Sequence, residues 1–593
     1  MKKRILSILA MVMILAVCGC ALGESAAPAF VEKDMPVVRD KLDTAEKATV
    51  RCYEDMPNVP YMSVTDFYNR FYLENTDLTE GMTFTREGDT YTLTNFCGDK
   101  AVFDTAANTI VIDNMDRYIK LACDLLSANT EGMDPDYPYA RLIHSKDPET
   151  PVPKHLALGD YNIDLRGDDT GVYAPLPTLS DIFASASGFY VVYVGGKIYV
   201  RDNVGLYMDS VMTDDPDYFV AVKTDRGEDL VKYTYDELCF SMDLWNGKPG
   251  QEYIHEDLID HHLDEVLSGK YPEIKQMLLR SDFEGFYGGL IHLFSGLLFD
   301  GGHTGMGCDA LTDQEFDLST SIYKEMRKKD YAVSYNNAAK RLTNQALRME
   351  ISEPFYNGDY YVEQGDTAVI YLGEYFLFDA DAWKDFYAGK RERPLEEDTA
   401  GTVLAGLERA MKNPKIRNII IDDSDNGGGN DIAMLAIEWM MTGKGYIRDW
   451  DAINGQYNTK TEQFDYNFDG KVDDSDVSPF TGYRYGVLTS DYSFSCGNAF
   501  PWFMHEHGAM ILGQKSSGGA CGIRNSSVGG IEVRNSAATS ATVTEDGSSV
   551  DGGCPVDADL LTDGENPYAN FYDLGTLSRL MNEYFDGTAR SDT

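Results

Sequence analysis

Strand-like and helix-like segments alternate along the last part of the chain. From about residue 360, the apolar runs "TAVIYLGEYF", "IRNIIIDDS" and "RYGVLTS" are separated by the amphipathic runs "TVLAGLERAMKN" and "IAMLAIEWMMTG". Short apolar runs that alternate with longer amphipathic runs are typical of units in which parallel strands are joined by crossover helices. We therefore predict an α/β core over residues 361–593.

The residues before this core have a different pattern. Residues 21–160 and 161–250 contain short alternating segments with turn residues, such as "KAVFDTAANTIVID" and "FYVVYVGGKIYV", which predict two β-rich modules. Residues 251–360 carry apolar side chains at helical spacing, which predicts a helical segment. With 593 residues and 43% hydrophobic composition, the chain can form several domains with packed cores.

Residues 1–20 have the pattern of an export signal. Lys2, Lys3 and Arg4 precede the apolar run "ILSILAMVMILAV", which is too short to span a bilayer, and "AVCGC" follows it. This order resembles a bacterial lipoprotein signal, which implies a diacylglycerol on Cys20 and a protein held on the outer face of the cell membrane. Plain secretion with cleavage near "ALGESAA" is the alternative.

Charge and cysteine content restrict the possible partners. The formal net charge of -46 excludes nucleic acid, and it excludes anionic membrane surfaces except through a lipid anchor. The cysteines after Cys20 are scattered without a C-x-x-C pair, which argues against a zinc site. In an exported protein they either form disulfides or stay reduced and buried.

Three segments carry residue types suited to acyl transfer. Ser495 in "SFSCGNAF" lies between a strand-like and a helix-like run, where the free N–H groups of a helix N-terminus, including that of Cys496, would face a developing oxyanion. In "IDDSDNGGGN" three glycines directly follow a buried strand, which lets a substrate approach the backbone. "DGGHTG" places His303 in a glycine-rich turn, and a serine needs such a base to become nucleophilic.

Together these segments resemble the tail-specific, or carboxyl-terminal-processing, serine peptidases and their tricorn-like relatives. The family patterns D-L-R-x-N-G-G-G, T-x-S-A-x-[EN], G-x-x-x-x-G-E-x-T-x-G and I-E-G-G-V-x-P-D are similar to "IDDSDNGGGN", "LTSDYSFSCGNAF", "HGAMILGQKSSGG" and "SSVDGGCPVDADL". The resemblance covers roughly residues 250–575. It implies a ββα-spiral core of the crotonase/ClpP-like kind and a peptide or unfolded protein as substrate.

The resemblance also assigns roles to individual residues. Ser495 takes the position of the nucleophile. The backbone amides of Cys496 and of Gly427 or Gly428 take the oxyanion positions. If Ser495 is not the nucleophile, the next candidates are Ser493 and Ser490.

The candidate base is typical of the tricorn-like branch of the family. Gly519 stands where one branch has its lysine base, and Lys515 lies several residues too early. The other branch uses a histidine in L-x-D-x-H-T, similar to "LLFDGGHTG", which makes His303 the expected base. Asp551 takes the place of the glutamate that orients the site, and Glu545 is its rival. The less favoured bases are His505 and His507.

The segment "DYNFDGKVDDSD" is typical of a calcium loop. Side-chain oxygens stand at loop positions 1, 3, 5, 9 and 12, with Gly470 at position 6 for the sharp turn. The aspartate at position 12 makes it more similar to dockerin-type loops than to calmodulin-type loops. We expect structural Ca²⁺ in an insertion over residues 451–480, with the ligands Asp465, Asn467, Asp469, Lys471 through its carbonyl, Asp473 and Asp476.

These features favour an exported, calcium-stabilised serine endopeptidase. The first alternative is a catalytically inactive lipoprotein that binds peptides in the same cleft, because the family's lysine and glutamate are both replaced. The second is a cell-surface adhesion protein, suggested by the dockerin-like loop, although dockerins have two such repeats and one is found here.

Overall fold

The computed structural model describes residues 28–39, 42, 45–71, 83–95, 98–119, 139–185, 188–202, 211–307, 309–376, 380–564 and 566–587. The predicted signal peptide with Cys20 lies outside these residues. Within the described ranges, no helix combines the length and the apolar character needed to cross a membrane.

The first part of the chain is rich in strands, as predicted. The strands are β1 (Phe30–Val38), β2 (Lys47–Tyr53), β3 (Met56–Ser63), β4 (Thr83–Glu87), β5 (Thr90–Thr94), β6 (Lys100–Asp104), β7 (Thr109–Ile112), β8 (Ala140–Asp147), β9 (Lys154–Ala157), β10 (Arg166–Asp168), β11 (Gly171–Pro175), β12 (Phe189–Val194) and β13 (Lys197–Asp202). The helices are α1 (Val64–Phe71), α2 (Met115–Ile119) and α3 (Leu176–Leu179).

The two predicted β-rich modules share one sheet. A seven-stranded sheet has the order β10-β11-β3-β2-β1-β13-β12, so strands from both sides of residue 160 pair with each other. A second, five-stranded sheet has the order β4-β5-β6-β7-β9. The division between residues 21–160 and 161–250 therefore runs through a sheet, because strand pairing joins segments that are distant in sequence.

The helical region begins before residue 251. Its helices are α4 (Val211–Asp214), α5 (Pro216–Val222), α6 (Glu228–Trp245), α7 (His255–Asp260), α8 (Leu263–Lys270), α9 (Pro272–Leu278), α10 (Phe283–His292), α11 (Asp309–Gln314), α12 (Phe316–Met326) and α13 (Val333–Tyr356). The side chain of Asp282 caps α10 by accepting the N–H of Gly285. A π-helical turn over Leu293–Leu297 ends this apolar segment, and the short strand β14 (Gly305–Met306) follows.

The last part of the chain is an α/β core, as predicted. Its strands are β15 (Tyr361–Gln364), β16 (Thr367–Tyr371), β17 (Asn418–Asp422), β18 (Gly445–Asp451), β19 (Gln456–Phe464), β20 (Arg484–Thr489), β21 (Met510–Gly513), β22 (Cys521–Val528), β23 (Ile531–Val543) and β24 (Ala558–Asp559). Its helices are α14 (Ala380–Tyr387), α15 (Thr399–Lys412), α16 (Asp431–Thr442), α17 (Cys496–Glu506) and α18 (Leu574–Phe585). The central sheet has the order β15-β16-β17-β20-β21-β24, in which only β15 runs antiparallel to its neighbour.

Both faces of this central sheet are buried. On β17, Ile419 and Ile421 belong to the apolar cluster that includes residues of α15, α16 and α17. Ile420, between them, belongs to the cluster on the opposite face, which includes residues of α18. Successive side chains of a strand point to opposite faces, so helices on both faces account for a strand that is apolar throughout.

A mixed sheet joins the core to the preceding regions. Its order is β14-β23-β18-β19-β8, with β22 also paired to β23. Gly305 of β14 is opposite Arg534 of β23, and β14 begins two residues after His303. The pairing of β14 with β23 therefore brings the histidine turn to the core.

Candidate active site

The site lies at one edge of the central sheet. The parallel strands β17, β20 and β21 end there, and ligand sites of open α/β sheets lie at the carboxyl ends of the strands. The glycine turn 427–429 follows β17, Ser495 follows β20, and the pair Gly518 and Gly519 follows β21. Segments that are far apart in sequence meet at this edge.

Ser495 is held in a strained turn directly before α17. Its backbone has φ 57° and ψ -124°, which is uncommon for a residue with a side chain and is concentrated at functional sites. The N–H of Ser495 donates to the carbonyl of Gly518 at 2.9 Å. The hydroxyl of Ser495 does not cap the helix, and the residue is half-buried.

The glycine turn lies against Ser495. A Cβ atom on Gly428, whose φ is +107°, would lie 2.6 Å from the Cβ of Ser495 and 3.1 Å from the nitrogen of Cys496. The N–H of Gly428 already donates to the side chain of Asn426 at 2.8 Å. Among the described residues, the N–H groups of Gly427, Gly429 and Cys496 make no hydrogen bond.

Of the predicted oxyanion donors, the amides of Cys496 and Gly427 are thus free to bind a ligand, whereas that of Gly428 is occupied. Gly429 also has a free amide, and it lines both cavities beside Ser495. The sequence places all three glycines after the strand but does not indicate which N–H group remains unpaired.

Asp300 organises the histidine turn. One oxygen of its carboxylate accepts the N–H groups of Gly302, His303 and Thr304 at 3.1, 3.0 and 2.9 Å. The other accepts the hydroxyls of Thr304 and Ser536, which ties the turn to β23. A carboxylate that accepts several backbone N–H groups fixes a turn firmly. Asp300 is part of the segment "LLFDGGHTG", and its role in holding the turn is not evident from the sequence.

The imidazole of His303 packs against the residue before Ser495. The ring centroids of His303 and Phe494 are 4.8 Å apart at an interplanar angle of 61°. Glycines surround the Phe494 ring, since a Cβ on Gly302 would lie 2.9 Å from it and one on Gly519 would lie 2.5 Å from it. A lysine side chain at position 519 would therefore collide with Phe494, which explains why the lysine base of the other branch has no place here.

Burial and charge hold His303 in its neutral form. Burial, the largest effect, lowers the pKa of His303 from its ordinary value of 6.5, and Arg534 adds to the lowering while Asp300 and Asp551 oppose it. The Nδ1 atom is buried and makes no well-aligned hydrogen bond with the described residues, although the backbone of Cys521 lies beside the imidazole and opposes the lowering of the pKa. A neutral imidazole can accept a proton.

Two cavities are lined by both Ser495 and His303. The first has a volume of about 420 Å³ and also contains Asp449 and Lys460. The second has a volume of about 570 Å³ and also contains Arg341. The structure thus brings the predicted nucleophile and the predicted base to the same cleft.

Asp551 lies close to this cleft but does not hydrogen-bond to His303. Its carboxylate accepts the N–H groups of Gly250 at 2.7 Å and of Gly519 and Ala520 at 3.3 Å each. It therefore braces the loop after β21 and acts on the imidazole only through its charge. Its predicted rival Glu545 is exposed and lines neither of the two cavities.

The alternative serines and histidines are engaged elsewhere. Ser490 and Ser493 are fully buried, and their hydroxyls donate to the carbonyls of Ser424 and Asp423. The imidazole of His505 pairs with Asp557, and that of His507 pairs with Glu438. None of these four residues lines the two cavities.

Lys460 is a cavity residue that no sequence motif indicates. It lies on β19, and its ammonium group pairs with Asp431. Burial alone would lower the pKa of Lys460, but the charges of Asp431 and Asp449 outweigh burial and raise it. A lysine that stays protonated cannot serve as a base, so Lys460 does not replace the missing lysine.

The predicted calcium loop forms a compact turn between β19 and β20. The carboxylate of Asp465 accepts the N–H of Gly470 at 2.8 Å, and Gly470 has φ +80°. The Oδ1 atom of Asp465 is buried beside the hydroxyl of Tyr387. The carboxylate of Asp476 accepts three backbone N–H groups of the loop.

The other predicted side-chain ligands are also engaged in hydrogen bonds within the loop. Asn467, Asp469 and Asp473 accept backbone N–H groups two residues further on. In the part of the chain that the structure describes, no group of three or more His, Cys, Asp or Glu side chains is arranged to hold a metal ion. Metal binding by this loop would require these side chains to turn inward.

Among the residues that the structure describes, five cysteines are free thiols: Cys52, Cys239, Cys496, Cys521 and Cys554.

A family model matches the segment that contains the glycine turn, Ser495 and Asp551. Residues 394–558 match peptidase family S41. This match covers less than half of the chain and supports a serine-peptidase-like domain over the matched residues. It does not include His303, so the tricorn-like branch stays a prediction.

Solved structures give weaker similarities. Mature CPAF complexed with lactacystin is 17% identical, with 38% of this chain and 54% of that chain covered, at a TM-score of 0.26. The photosystem II D1 C-terminal processing protease is 14% identical, with 36% and 46% covered, at 0.24. The tricorn protease is 11% identical, with 93% and 53% covered, at 0.27.

The chain thus spans about half the length of each of these structures, and no residue role is transferred from them. No curated protein sequence matches the chain.

Proposed function

We propose that this protein is a serine endopeptidase in which Ser495 is the nucleophile and His303 is the base. The observation that carries the proposal is that both side chains line the same two cavities at the carboxyl edge of the central sheet. The S41 match over residues 394–558 supports the same reaction class independently. The finer assignments, a ββα-spiral core and the tricorn-like branch, are part of this proposal.

The proposed reaction follows from the groups present. His303 takes the proton of Ser495 as the serine oxygen attacks a peptide carbonyl. The free amides of Cys496 and of Gly427 or Gly429 stabilise the oxyanion. The protonated imidazole then gives the proton to the leaving amine, and water hydrolyses the acyl-enzyme with His303 again as base.

Peptide hydrolysis tests this proposal. A mixture of unstructured peptides is incubated with the wild type and with Ser495→Ala, and the products are identified by mass spectrometry. We expect internal cleavage by the wild type and none by the variant. Equal cleavage by both would overturn Ser495 as the nucleophile. A folded wild type that binds peptides without cleaving them would favour the inactive peptide-binding alternative.

We also propose that residues 465–476 bind structural Ca²⁺. The spacing of the oxygen ligands and the sharp turn at Gly470, whose φ is +80°, support this proposal. Calcium would supply positive charge to a loop whose carboxylates now accept backbone N–H groups. The loop directly follows β19, which carries the cavity residue Lys460, so an ordered loop would brace that strand.

Export and lipid anchoring complete the proposal. The order of basic residues, apolar run and "AVCGC" supports a diacylglycerol on Cys20. Metabolic labelling of expressing bacteria with an alkyne fatty acid tests it. We expect labelling of the wild type and of Cys18→Ser but not of Cys20→Ser, and labelling that persists in Cys20→Ser would refute the assignment.

A further inference from the structure

We propose that Arg341 and Arg534 form a carboxylate-binding subsite beside Ser495, and that the substrates are peptides with a carboxylate close to the scissile bond. This inference rests on the proposed peptidase function and adds a substrate class to it. Both arginines line the cavity of about 570 Å³ that also contains Ser495 and His303.

Neither arginine is neutralised by the protein. Among the described residues, neither guanidinium has a carboxylate oxygen within the 4.0 Å of an ion pair. Arg341 donates to the carbonyl of Gly301 at 2.6 Å, which leaves most of its N–H groups for other partners. The Nε atom of Arg534 is buried and has no hydrogen-bond partner. Both arginines are half-buried, so water solvates their charges less well than on the open surface, and a bound carboxylate would stabilise them.

Another arginine on the same helix is neutralised by carboxylates, unlike Arg341. Arg348, two turns after Arg341 on α13, is fully buried and pairs with Asp425 at 3.3 Å and Asp491 at 2.8 Å. The fold therefore neutralises a structural arginine but leaves the cavity arginine without an anion. Asp491 and Asp300 are close enough to affect the pKa of Arg341, although burial is the largest effect and lowers that pKa.

The position of Arg341 is fixed, which favours specific recognition. Its guanidinium lies over the ring of Phe494, 5.4 Å from the centroid, and a Cβ on Gly301 would lie 2.9 Å from its Nη2 atom. A planar guanidinium held in this way presents a fork of donors that matches a carboxylate. Arg534 lies on β23 and lines the same cavity.

The charge of the whole chain makes this pair unusual. The sequence has 51 basic and 97 acidic residues, so most of the protein surface repels an anionic peptide. Two unpaired guanidinium groups next to Ser495 form a local positive site in this acidic protein. The carboxylate that they bind is the side chain of an Asp or Glu residue of the peptide, and binding of a free C-terminus instead is tested as a separate outcome.

The test uses fluorogenic peptides in matched sets. Each residue near the cleaved bond is varied among Asp, Asn and Lys, and each peptide is made with a free or an amidated C-terminus. We expect the wild type to cleave the preferred Asp peptide at least about tenfold faster in kcat/KM than its Asn counterpart, whether the C-terminus is free or amidated. Loss of the preference on replacing Asp by Asn supports binding of a side chain, whereas a preference that depends only on a free C-terminus would overturn this subsite.

Variants connect the preference to the two arginines. Arg341→Gln and Arg534→Gln should each lose the preference for the carboxylate while still cleaving neutral peptides. Arg341→Lys and Arg534→Lys should each keep part of the preference, because the charge remains but the fork of donors is lost. Arg409→Gln, which removes an arginine paired with Asp359 on the surface, is the matched control and should keep the full preference.

The outcomes separate this proposal from the function on which it rests. Equal cleavage of acidic and neutral peptides by the wild type, or a preference that survives in both glutamine variants, would overturn the subsite and leave the peptidase standing. If no peptide is cleaved, the peptidase function fails. Binding of fluorescent acidic and neutral peptides to Ser495→Ala then still tests the subsite, and equal affinities would overturn it.

Discussion

The imidazole of His303 packs edge-on against Phe494, with ring centroids 4.8 Å apart, and Phe494 directly precedes Ser495. One aromatic ring thus forms a wall for the proposed base and positions the turn of the proposed nucleophile. Gly302 and Gly519 leave the space that this ring occupies. The relative position of two residues far apart in sequence depends on this contact.

Replacing Phe494 by Ala should therefore disturb both stability and activity. Loss of a buried aromatic ring costs about 3–5 kcal/mol of unfolding free energy. Because the imidazole of His303 would no longer be positioned by this ring, kcat/KM should fall by about 100-fold. Thermal unfolding and peptide hydrolysis at a temperature where the variant is folded measure the two effects. Phe571→Ala, on the opposite face of the sheet, is the control and should lose stability while kcat/KM is unchanged. Unchanged kcat/KM in folded Phe494→Ala would argue against this role.

Gly428 should not tolerate a side chain. An alanine Cβ would lie 2.6 Å from the Cβ of Ser495, at a φ of +107° that costs about 1–3 kcal/mol for residues other than glycine. We expect Gly428→Ala to lower kcat/KM at least about 100-fold. Gly482→Ala is the control, since nothing lies within 4 Å of its added Cβ. Normal activity of Gly428→Ala would show that the glycine turn does not border the reacting atoms.

The pH dependence of the reaction should reflect His303. Burial lowers the pKa of this imidazole below its ordinary value of 6.5, and only the neutral ring accepts a proton. Hence kcat/KM should rise with pH through a midpoint below 6.5. Arg534 adds to the lowering, so Arg534→Gln should move that midpoint upward. A wild-type midpoint above 6.5, measured on a peptide without ionisable side chains, would be inconsistent with His303 as the base.

The core could be predicted from the sequence because its strands carry a strong local signal. On β17, Ile419, Ile420 and Ile421 are all buried, and glycine-rich turns follow where the strand ends. The N-terminal region could be predicted only as β-rich. Its alternating segments indicate strands, but they do not specify that β1 pairs with β13, because pairing depends on contacts between distant segments.

The site was partly accessible to sequence reasoning. Ser495 and His303 stand in short patterns with glycines, and the structure places both at one cleft. Arg341 and Lys460 carry no such signal, because a basic residue within a helix or strand is usually a solvated side chain. Asp551 was expected to orient the base, but its carboxylate is used by three backbone N–H groups, which the sequence does not reveal.

Removing calcium should lower the thermal stability of the protein. Binding to the folded state alone contributes about 2.7 kcal/mol at a calcium concentration 100 times Kd. We expect a lower Tm in chelator than in excess Ca²⁺ for the wild type, and no such difference for Asp465→Asn. Asp474→Asn, an exposed loop residue outside the predicted ligand positions, should behave like the wild type. The same wild-type Tm in chelator and in Ca²⁺ would refute the calcium site.

Labelling with a fluorophosphonate, followed by peptide mapping, tests the proposed nucleophile most directly. The wild type should carry the phosphonyl group on Ser495, His303→Ala should react far more slowly, and folded Ser495→Ala should not react. Labelling of Ser495→Ala, or a wild-type label mapped to another serine, would contradict the assignment of Ser495 and His303.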